Sequence, residues 1–540
     1  MLSKSATVTF TRATTVAAGV FAPGHLGELT RFLPFERVDA VLQETGTVQQ
    51  RVRVLPARVG VYFVLALGLF PHLGYRRVFG KLTAGLPAGL RVRPSEKALR
   101  DLRRRLGAAP LKALFAQVAG PLAAPDTPGV SYRRWRTVAF DGCSSMQAPD
   151  SDRNRGWLGK IRFHQGWAAF PHMMLMVLCE TGTRGLIGAV FGPADTDERG
   201  FAARLFPLLN KQMLVLTDRG FDSDGFWAAL SDTGARFLGR IAANRKPPVL
   251  ARLSDGSFLS RFGALTVRII DVDIVVTLAD GTRVGERYRL VTNLLDARCD
   301  PAPALVRLYH ERWEVESTLY AIRHSMLAGR VLRSTDPAGI EQEMWALLTV
   351  YQVLRTTMVA AIQTCGHADP DRASFGIALE AARDQIITAA GILPATGQDT
   401  GADLPGQIGH AVLANLMPAR RPRISARKIK SGRSRYASLP PGENRPLTST
   451  PITDIAYTIH TAPEPPTPPE PIDQPNPGRT ARRDQVLAFL AANPDRAWPA
   501  RHIAHALGIT ERLNSFCVQL SEWATQGHLT KTAPATYTTT

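Results

Sequence analysis

Residues 213–221 read MLVLTDRGF, and this stretch decides the fold class that the sequence predicts. Its first five residues are apolar or β-branched, which is typical of a buried strand. Asp218 follows directly, and Gly220 lets the backbone turn just beyond it. The strand therefore presents a carboxylate where it leaves the sheet, although an aspartate at such a position can also be a simple turn residue.

Strands and helices alternate on both sides of this stretch. The apolar runs predict, in chain order, strands at 138–140, 172–179 and 185–191, a helix at 197–209, a helix at 223–230 and a strand at 236–241. The pattern then stays β-rich from 245 to 295, with a turn at Asp280 and Gly281, and predicts an inserted sheet. The order βββ-α-β-α-β with an insertion indicates an α/β fold.

The composition limits the classes of protein that the chain can belong to. With 540 residues, 45% of them hydrophobic, the chain is too long for one core and too apolar to be mostly disordered. The sum of 65 Lys and Arg against 46 Asp and Glu gives a net charge of +19, which favours a nucleic-acid partner. The five cysteines are scattered without a C-x-x-C pair, which argues for a reducing compartment and against zinc.

Two apolar stretches raise the question of a membrane. The longest run, at 61–70, is about half as long as a bilayer span requires, so we expect no transmembrane segment and no membrane partner. A shorter patch at 16–22, behind Lys4 and Arg12, is a poor match to a signal peptide.

Helical periodicity and composition divide the rest of the chain. Between 30 and 89 apolar residues recur at helical spacing, and the Pro-rich stretch TAPEPPTPPEPIDQPNP at 461–477 predicts an extended linker. Three short helices are predicted after it, with Gly508 at the middle turn, which is typical of a helix-turn-helix. The predicted divisions are an N-terminal tail at 1–29, a helical domain at 30–110, an α/β domain at 130–365, a C-terminal extension at 366–455, a linker at 456–480 and a winged-helix-like module at 481–540.

Candidate catalytic residues are acids at strand ends and on helices that face the sheet. Enzymes that transfer phosphoryl groups on DNA commonly use two divalent metal ions, which carboxylates from separate chain segments hold. Asp141 follows the strand at 138–140 and precedes Gly142, so it is placed like Asp218. A turn aspartate is the alternative for this residue also.

A third acid emerges from the geometry of the amphipathic helix predicted at 303–327. At about 100° per residue, one face of this helix carries several aromatic and charged side chains. They are Tyr309, Arg312, Trp313, Glu316, Tyr320 and Arg323. Glu316 is thus predicted to face the sheet, whereas Glu311 and Glu314 point away. A carboxylate in that position requires a bound metal or a structural ion pair, with Arg312 or Arg323 as the candidate partners.

The spacing of Tyr309, Arg312, Glu316 and Arg323 resembles the tyrosine, arginine, glutamate and lysine signature of insertion-sequence family four transposases, of the DDE (Asp-Asp-Glu) class. Further similar blocks follow in the order of that family: FDG at 140–142, LVLTDRGF at 214–221, VLRS at 331–334 and EQEMWALL at 341–348. Residues 30–89 also resemble the N-terminal domain of many members. The resemblance extends over roughly residues 25–440.

This resemblance implies a ribonuclease H-like mixed sheet, with the inserted β region between the second and third acids. It implies that Asp141, Asp218 and Glu316 are catalytic and bind two divalent ions, magnesium or manganese. Tyr309, Arg312 and Arg323 would contact DNA phosphates near the cut. The family usually has lysine where this chain has Arg323, which keeps the charge but replaces an ammonium with a planar guanidinium.

The function that the resemblance implies is DNA transposition. Such an enzyme binds the terminal inverted repeats of its insertion sequence, cuts there and joins the ends to target DNA, as a homodimer in the synaptic complex, in the bacterial cytoplasm with the nucleoid. Two alternatives stay open: an inactive DNA-binding regulator derived from a transposase, and a ribonuclease H-like nuclease without strand transfer. A basic run at 419–435 is expected to contact phosphates without sequence preference. Its candidate residues are Arg420, Arg421, Arg423, Arg427, Lys428 and Lys430.

Overall fold

The computed structural model describes most of the chain, in two compact units. The described residues are 25–50, 55–85, 91–163, 166–366, 368–388, 406–419, 423–424, 450–461, 480–494, 496–509 and 513–539. Contacts within the chain divide it into one unit at 1–465 and a second at 466–540.

The N-terminal region of the first unit is helical, as the periodicity predicts. Its helices are α1 (Phe35–Glu44), α2 (Ala57–Leu69), α3 (Tyr75–Leu82), α4 (Glu96–Leu106) and α5 (Ala109–Val118). Helix α2 is apolar on all sides and is buried along its whole length, which is typical of a central helix. It packs against a long helix from the C-terminal half, α11 (Pro337–Gln363), so the helical region is continuous with the rest of the unit.

The large sheet is mixed, and it confirms the predicted α/β class. Its strands and their attached short pairs are β1 (Ser131–Tyr132), β2 (Trp135–Gln147), β5 (His172–Glu180), β6 (Leu186–Gly192), β7 (Met213–Thr217), β8 (Arg236–Arg240), β9 (Ala251–Arg252), β10 (Phe258–Phe262), β11 (Leu265–Leu278), β12 (Arg283–Thr292), β13 (Arg423–Ile424) and β14 (Thr450–Ile459), while β3 (Arg162–Phe163) pairs with β4 (Gly166–Trp167) apart from it. The sheet runs in the order β13-β14-β11-β12-β8-β7-β2-β5-β6.

The centre of this sheet follows the predicted order of elements. Strands β2, β5 and β6 pair antiparallel, and β7 and β8 then add in parallel to β2. Helix α6 (Asp152–Leu158) follows β2, helix α7 (Glu198–Ala203) precedes β7, and helix α8 (Asp224–Asp232) connects β7 to β8. Helix α7 is shorter than the predicted 197–209, because a 3-10 turn that contains Pro207 replaces its second half.

Strand β2 is longer than the prediction of 138–140, so Asp141 does not end it. Asp141 lies inside the strand and is paired with Val177 of β5. The pairing continues past a bulge between Cys143 and Met146. The partner strand β5, which is almost entirely buried, keeps this small and polar stretch in the sheet.

The inserted β region extends the same sheet. Strands β11 and β12 form a long hairpin whose turn contains Gly281 at a φ of 81°, and β12 pairs with β8. Strand β14 adds to the outer edge of β11, and its residues Ile455, Tyr457 and Ile459 pack on the core. Residues 456–459, predicted as the start of the linker, therefore belong to a strand, and the linker begins later than the sequence predicts.

The segment predicted as one helix at 303–327 is irregular. Helix α9 (Ala302–Tyr309) passes through a 3-10 turn, His310–Arg312, into helix α10 (Trp313–Tyr320) and then into a π-helical turn, Ala321–Met326. Helix α10 packs on β2 and β5. Helices α11, α12 (Phe375–Thr388) and α13 (Gly406–Ala414) complete the described helices of the unit. Helix α11 is long and apolar enough to cross a membrane, but its most apolar part is largely buried inside the protein.

The second unit contains helices α14 (Thr480–Ala491), α15 (Ala500–Ala506) and α16 (Leu513–Thr525). Strands β15 (Trp498–Pro499), β16 (Thr530–Ala533) and β17 (Thr536–Thr538) form a small sheet of order β15-β17-β16. Its own core includes Ile503, Phe516, Leu520 and Trp523.

Candidate active site

Two of the predicted acids lie at neighbouring strands: Asp141 lies within β2, and Asp218 directly follows the last residue of β7. Strands β2 and β7 run in parallel, and Ala139 pairs with Leu216. Asp141 and Asp218 each lie two residues beyond this pair, in the same direction along the sheet. The backbone N–H groups of the following chain hold both carboxylates: Asp141 Oδ1 accepts from Gly142 at 2.9 Å, and Asp218 Oδ1 accepts from Gly220 at 2.8 Å.

The third acid, Glu316, lies on α10, which packs on β2. The guanidinium of Arg312, one turn earlier, donates from Nη2 to Glu316 Oε1 at 3.0 Å. The Arg312 side chain is only 4% exposed, whereas that of Glu316 is 34% exposed. The ion pair that the sequence left open as an alternative to metal binding is therefore present, and it holds Glu316 at the edge of the site.

The electrostatics show that the acids act on one another. Together, the surroundings of Asp141 raise the pKa of its carboxyl to about 7. Loss of water is the largest cause; the charges of Glu316 and Asp218 also raise the pKa, and Arg312 opposes them. Burial lowers the pKa of the Arg312 guanidinium, but Tyr309 and the acids Glu316, Asp141 and Asp218 shift it upward overall. Asp141 thus interacts electrostatically with both Asp218 and Glu316.

The acids do not yet converge on one point. Within the part of the chain that the structure describes, no three His, Cys, Asp or Glu side chains are close enough together to hold a metal ion. Their chemistry nevertheless fits magnesium or manganese, which prefer carboxylate oxygens. A cation placed among them would remove the repulsion that raises the pKa of Asp141. Glu316 must leave Arg312 for the three carboxylates to meet.

Tyr309 and Arg312, which the resemblance assigns to DNA contact, are buried in this structure. The Tyr309 hydroxyl donates to the backbone carbonyl of Thr217, directly before Asp218, at 3.1 Å. Burial raises the pKa of this hydroxyl. Arg312 also lies over the ring of Trp313, 4.8 Å from its centroid. Tyr309 therefore links α9 to the end of β7, directly before Asp218, and Arg312 holds Glu316 on α10.

Arg323 lies on the π-helical turn and is partly exposed. It lies near His172, at the start of β5; burial is the main cause of the lowered pKa of that imidazole, and the charge of Arg323 contributes to it. Arg323 is therefore placed near the end of β2, where His172 pairs with Gln147.

The predicted helix face is only partly right. Tyr320 is 64% exposed instead of packed on the sheet, whereas Val315 and Leu319 of the same helix are buried in the core. Glu314 points away from Glu316 as predicted, but it is buried, because the helix has protein on both sides. It forms an ion pair with Arg184, which also pairs with Asp371.

The remaining predicted DNA-contact residues lie largely outside the described part of the chain. Arg420, Arg421, Arg427, Lys428 and Lys430 belong to segments that the structure does not describe. Arg423 is described only as part of strand β13.

One acid that the sequence did not single out also lies at this edge of the sheet. Glu198, the first residue of α7, places its carboxylate near the glycines that follow Asp141 and Asp218. Its position depends on the packing of three chain segments, and the only sequence signal for it is an acid at a predicted helix start.

Comparisons with known proteins identify two family matches in this chain. Residues 23–116 match the family described as insertion element 4 transposase N-terminal, and residues 138–353 match the transposase DDE domain. These two matches together cover more than half of the chain.

Similar individual proteins are also transposases. Transposase InsG for insertion sequence element IS4 of Escherichia coli (strain K12) is 25% identical over 423 residues, which cover 77% of this chain and 94% of that protein. Putative transposase InsZ of the same organism is 26% identical over 203 residues, or 37% of this chain and 66% of InsZ. A solved piggyBac transposase synaptic complex with hairpin DNA aligns with 74% of this chain and 86% of that one, at 11% identity and a TM-score of 0.36.

Proposed function

Because this chain belongs to the insertion-sequence family four transposases of the DDE class, we propose that it moves its own element by cut-and-paste transposition. It binds the terminal inverted repeats, cuts the DNA there and joins the freed 3′ hydroxyls to target DNA. The observation that carries this proposal is the electrostatic interaction of Asp141 with Asp218 and Glu316. These acids come from separate segments, yet the latter two both raise the pKa of Asp141.

The strand arrangement supports a ribonuclease H-like catalytic domain. Its centre has antiparallel β6, β5 and β2, followed by parallel β7 and β8. Asp141 lies on β2, Asp218 directly follows β7, and the β9 to β12 insertion separates Asp218 from Glu316 in the chain.

The three acids would hold two divalent ions, magnesium or manganese, which supply the Lewis acidity for in-line attack at phosphorus and for departure of the 3′ oxygen. A carboxylate must be ionised to act as a ligand, so Asp141 gives up its proton near pH 7. Glu316 leaves the hydrogen bond from Arg312 and turns towards the two aspartates. The guanidinium of Arg312 is then available to a DNA phosphate, which its planar geometry suits.

Two further regions are proposed to contact DNA. A groove beside α3 in the N-terminal region is lined by Arg76, Arg77, Arg91 and Arg93, and by a single acid, Glu96, among its described residues. This groove would hold the phosphates of a terminal repeat. In the second unit, α15, α16 and the β16–β17 pair are proposed to act as a winged helix-turn-helix, which would read the ends or the target. The basic run at 419–435 would add contacts that are independent of sequence.

The synaptic complex is proposed to contain two copies of the chain, one for each end, and to act with the nucleoid in the bacterial cytoplasm. In that arrangement, each copy would supply one set of catalytic acids. Mass photometry of the chain with and without end DNA would test the stoichiometry.

A strand-transfer assay with magnesium tests the proposed reaction. The assay compares the wild type with Asp218→Asn on duplexes that carry the ends of the encoding element. Asp195→Asn is the matched control, because Asp195 is an exposed acid on the same domain and pairs with Arg204 at the surface. The wild type and the control should cut and join, and Asp218→Asn should do neither. A chain that binds the ends without cutting them is a regulator, and one that cuts without joining is a nuclease.

A further inference from the structure

A second basic groove adjoins the groove beside α3. Gly74 and Glu96 line the groove beside α3, and both residues also line this second groove. Its exposed or half-buried cations are Arg100 and Arg104 of α4 and Arg333 of the loop that precedes α11, and we name it the α4 groove. The two grooves are therefore continuous, and together they lead from the N-terminal helices to a loop of the C-terminal half.

Helix α4 turns one face to the core and another face to the α4 groove. The residues on its inner face are Leu99, Leu102, Arg103 and Leu106. Arg100 and Arg104 are one turn apart on the outer face, and both are exposed. Arg104 lies 3.6 Å from Asp101 in a largely exposed pair, which is a weak interaction. Because like charges one turn apart repel each other, the stability of α4 does not explain this pair of arginines, whereas an anion in the groove does.

The floor of the α4 groove is a buried network of hydrogen bonds. Arg103 Nη2 donates to Glu343 Oε1 at 2.9 Å and to Ser334 Oγ at 3.0 Å. Arg103 Nε donates to Gln342 Oε1 at 2.8 Å, and Gln342 Nε2 donates back to the backbone carbonyl of Arg103 at 3.0 Å. Glu343 balances the charge of Arg103 and ties α4 to α11. The exposed arginines above this floor therefore supply the positive charge of the groove.

The loop before α11 is fixed both to the N-terminal helices and to strand β2. The two terminal nitrogens of Arg333 donate to backbone carbonyls in the turn between α2 and α3, at 2.6 Å and 2.7 Å, and these neutral acceptors leave its positive charge in place. Asp336, an acid that also lines the groove, caps the start of α11. The backbone N–H of Leu332 donates to the carbonyl of Gln147, the last residue of β2, at 2.9 Å. The groove thus ends at a loop that is bonded to the strand of Asp141.

We propose that the α4 groove binds the phosphate backbone of the terminal-repeat DNA, between the part held beside α3 and the cut. The inference rests on the proposed function, which supplies the DNA end and the catalytic acids. Arginines on an exposed helix face bind phosphates without reading bases, and such contacts fix the position of a protein along the duplex. Because its floor and its loop are hydrogen-bonded to α11 and β2, the groove guides the DNA end towards Asp141.

Arg105, on the same helix, offers a matched control. It is exposed like Arg104, but it lines a different groove, together with Leu102 and Leu106. Serine in place of either arginine removes the same charge from the same turn of α4. A loss of DNA affinity that reflects only the net charge of the region would therefore be equal in the two variants.

Fluorescence anisotropy of an end duplex with the full-length chain, in EDTA and at several KCl concentrations, tests the proposal. Arg100→Ser and Arg104→Ser should each weaken binding by at least about threefold and reduce the slope of log Kd against log[KCl] by about 1, the value for one lost phosphate contact. Arg105→Ser should bind within about twofold of the wild type with the same slope, because salt screens a charge outside the groove. Thermal melting verifies that each variant is folded.

Hydroxyl-radical footprinting of the same complexes tests the path of the DNA. The backbone positions that lose protection in Arg104→Ser should lie closer to the cut than those that lose protection in Arg77→Ser, in the groove beside α3. The opposite order would overturn the inference.

The outcomes separate this inference from the proposed function. If the wild type binds and cuts the ends in magnesium while Arg100→Ser and Arg104→Ser bind them like Arg105→Ser, the inference is wrong and the proposed function stands. If the wild type does not prefer the ends to an unrelated duplex, the proposed function fails and the inference falls with it. If Arg100→Ser and Arg104→Ser bind and cut the ends normally but no longer join them to target DNA, the groove holds target DNA and the inference is overturned.

Discussion

The two elements that carry the proposed catalytic acids differ in regularity. Asp141 lies within β2 and Asp218 directly follows β7, and backbone hydrogen bonds set the register of these two parallel strands. Glu316 lies on a segment that changes from α-helix to 3-10 turn, back to α-helix and then to π-helix. The sheet thus fixes two acids by long-range pairing, while the third is held by an ion pair that can break. In the proposed mechanism, the site would therefore assemble when Glu316 leaves Arg312 and turns towards the two aspartates.

Removal of one of the proposed catalytic acids should have the largest effect on DNA cleavage. Asp141→Asn is expected to reduce DNA cleavage by roughly 10³-fold or more, because residues that act as one unit fail together. Glu316→Gln should cost as much, since a site with one missing carboxylate holds metal poorly. Gel assays on end duplexes measure both rates, with Asp195→Asn as the control. A Glu316→Gln variant that cleaves nearly as fast as the wild type would contradict a site shared between sheet and helix.

The buried ion pair that anchors α10 through Glu314 should contribute more to stability than an exposed ion pair elsewhere in the unit. Arg184→Met leaves Glu314 and Asp371 buried without their shared cation, and we expect a loss of about 3–5 kcal/mol in the free energy of unfolding. Arg155→Met, at an exposed pair with Asp152, should change it by less than about 1 kcal/mol. Denaturant unfolding followed by circular dichroism measures both. Similar small losses in the two variants would show that α10 is not anchored through Glu314.

The pKa of Asp141 depends on how close Glu316, on the helix, and Asp218, at the sheet, lie to its carboxyl. A neighbouring negative charge favours the protonated form, so removing such a charge lowers the pKa. Glu316 raises the pKa of Asp141 more than Asp218 does. Without metal, the midpoint should therefore move from about 7 to a lower pH in both variants, and further in Glu316→Gln than in Asp218→Asn.

Infrared titration of ¹³C-aspartate-labelled protein in EDTA can follow this carboxyl. Asp195→Asn, at an exposed acid that pairs with Arg204, should leave the midpoint unchanged. A larger shift in Asp218→Asn than in Glu316→Gln would place Glu316 further from the sheet than this structure does.

The smallest expected effect concerns the exposed face of α10. Tyr320→Ala should change the free energy of unfolding by no more than about 0.5 kcal/mol, because the side chain is mostly exposed. Leu319→Ala, at the buried neighbouring position, should cost about 2–5 kcal/mol. If Tyr320→Ala destabilises the protein as much as Leu319→Ala, Tyr320 packs on the core and the orientation of α10 described here is wrong.

The same contrast explains how far the sequence predicts the structure. The order βββ-α-β-α-β follows from local apolar runs, and the position of Asp218 follows from a buried strand that ends on it. The length of β2 could not be predicted, because residues 142–147, GCSSMQ, are poor strand formers alone and depend on pairing with β5. Local patterns therefore identify the strands, and distant partners determine where they end.

The candidate site shows the same limit. The i, i+4 spacing of Arg312 and Glu316 predicts their ion pair, and the structure contains it. The exposure of Tyr320 departs from the prediction, because the advance of about 100° per residue shows which residues share a helix face but not which face packs on the sheet. The position of Glu198 beside Gly142 and Gly220 is not evident in the sequence, because it arises from the packing of α7 across two strands.

Anomalous diffraction from crystals of the chain with end DNA and Mn²⁺ tests the central claim most directly. The account predicts Mn²⁺ with carboxylate oxygens of Asp141, Asp218 and Glu316 as ligands at about 2.0–2.2 Å, with Glu316 released from Arg312. Mn²⁺ bound elsewhere, with Glu316 still on Arg312 in a complex that cuts DNA, would contradict it.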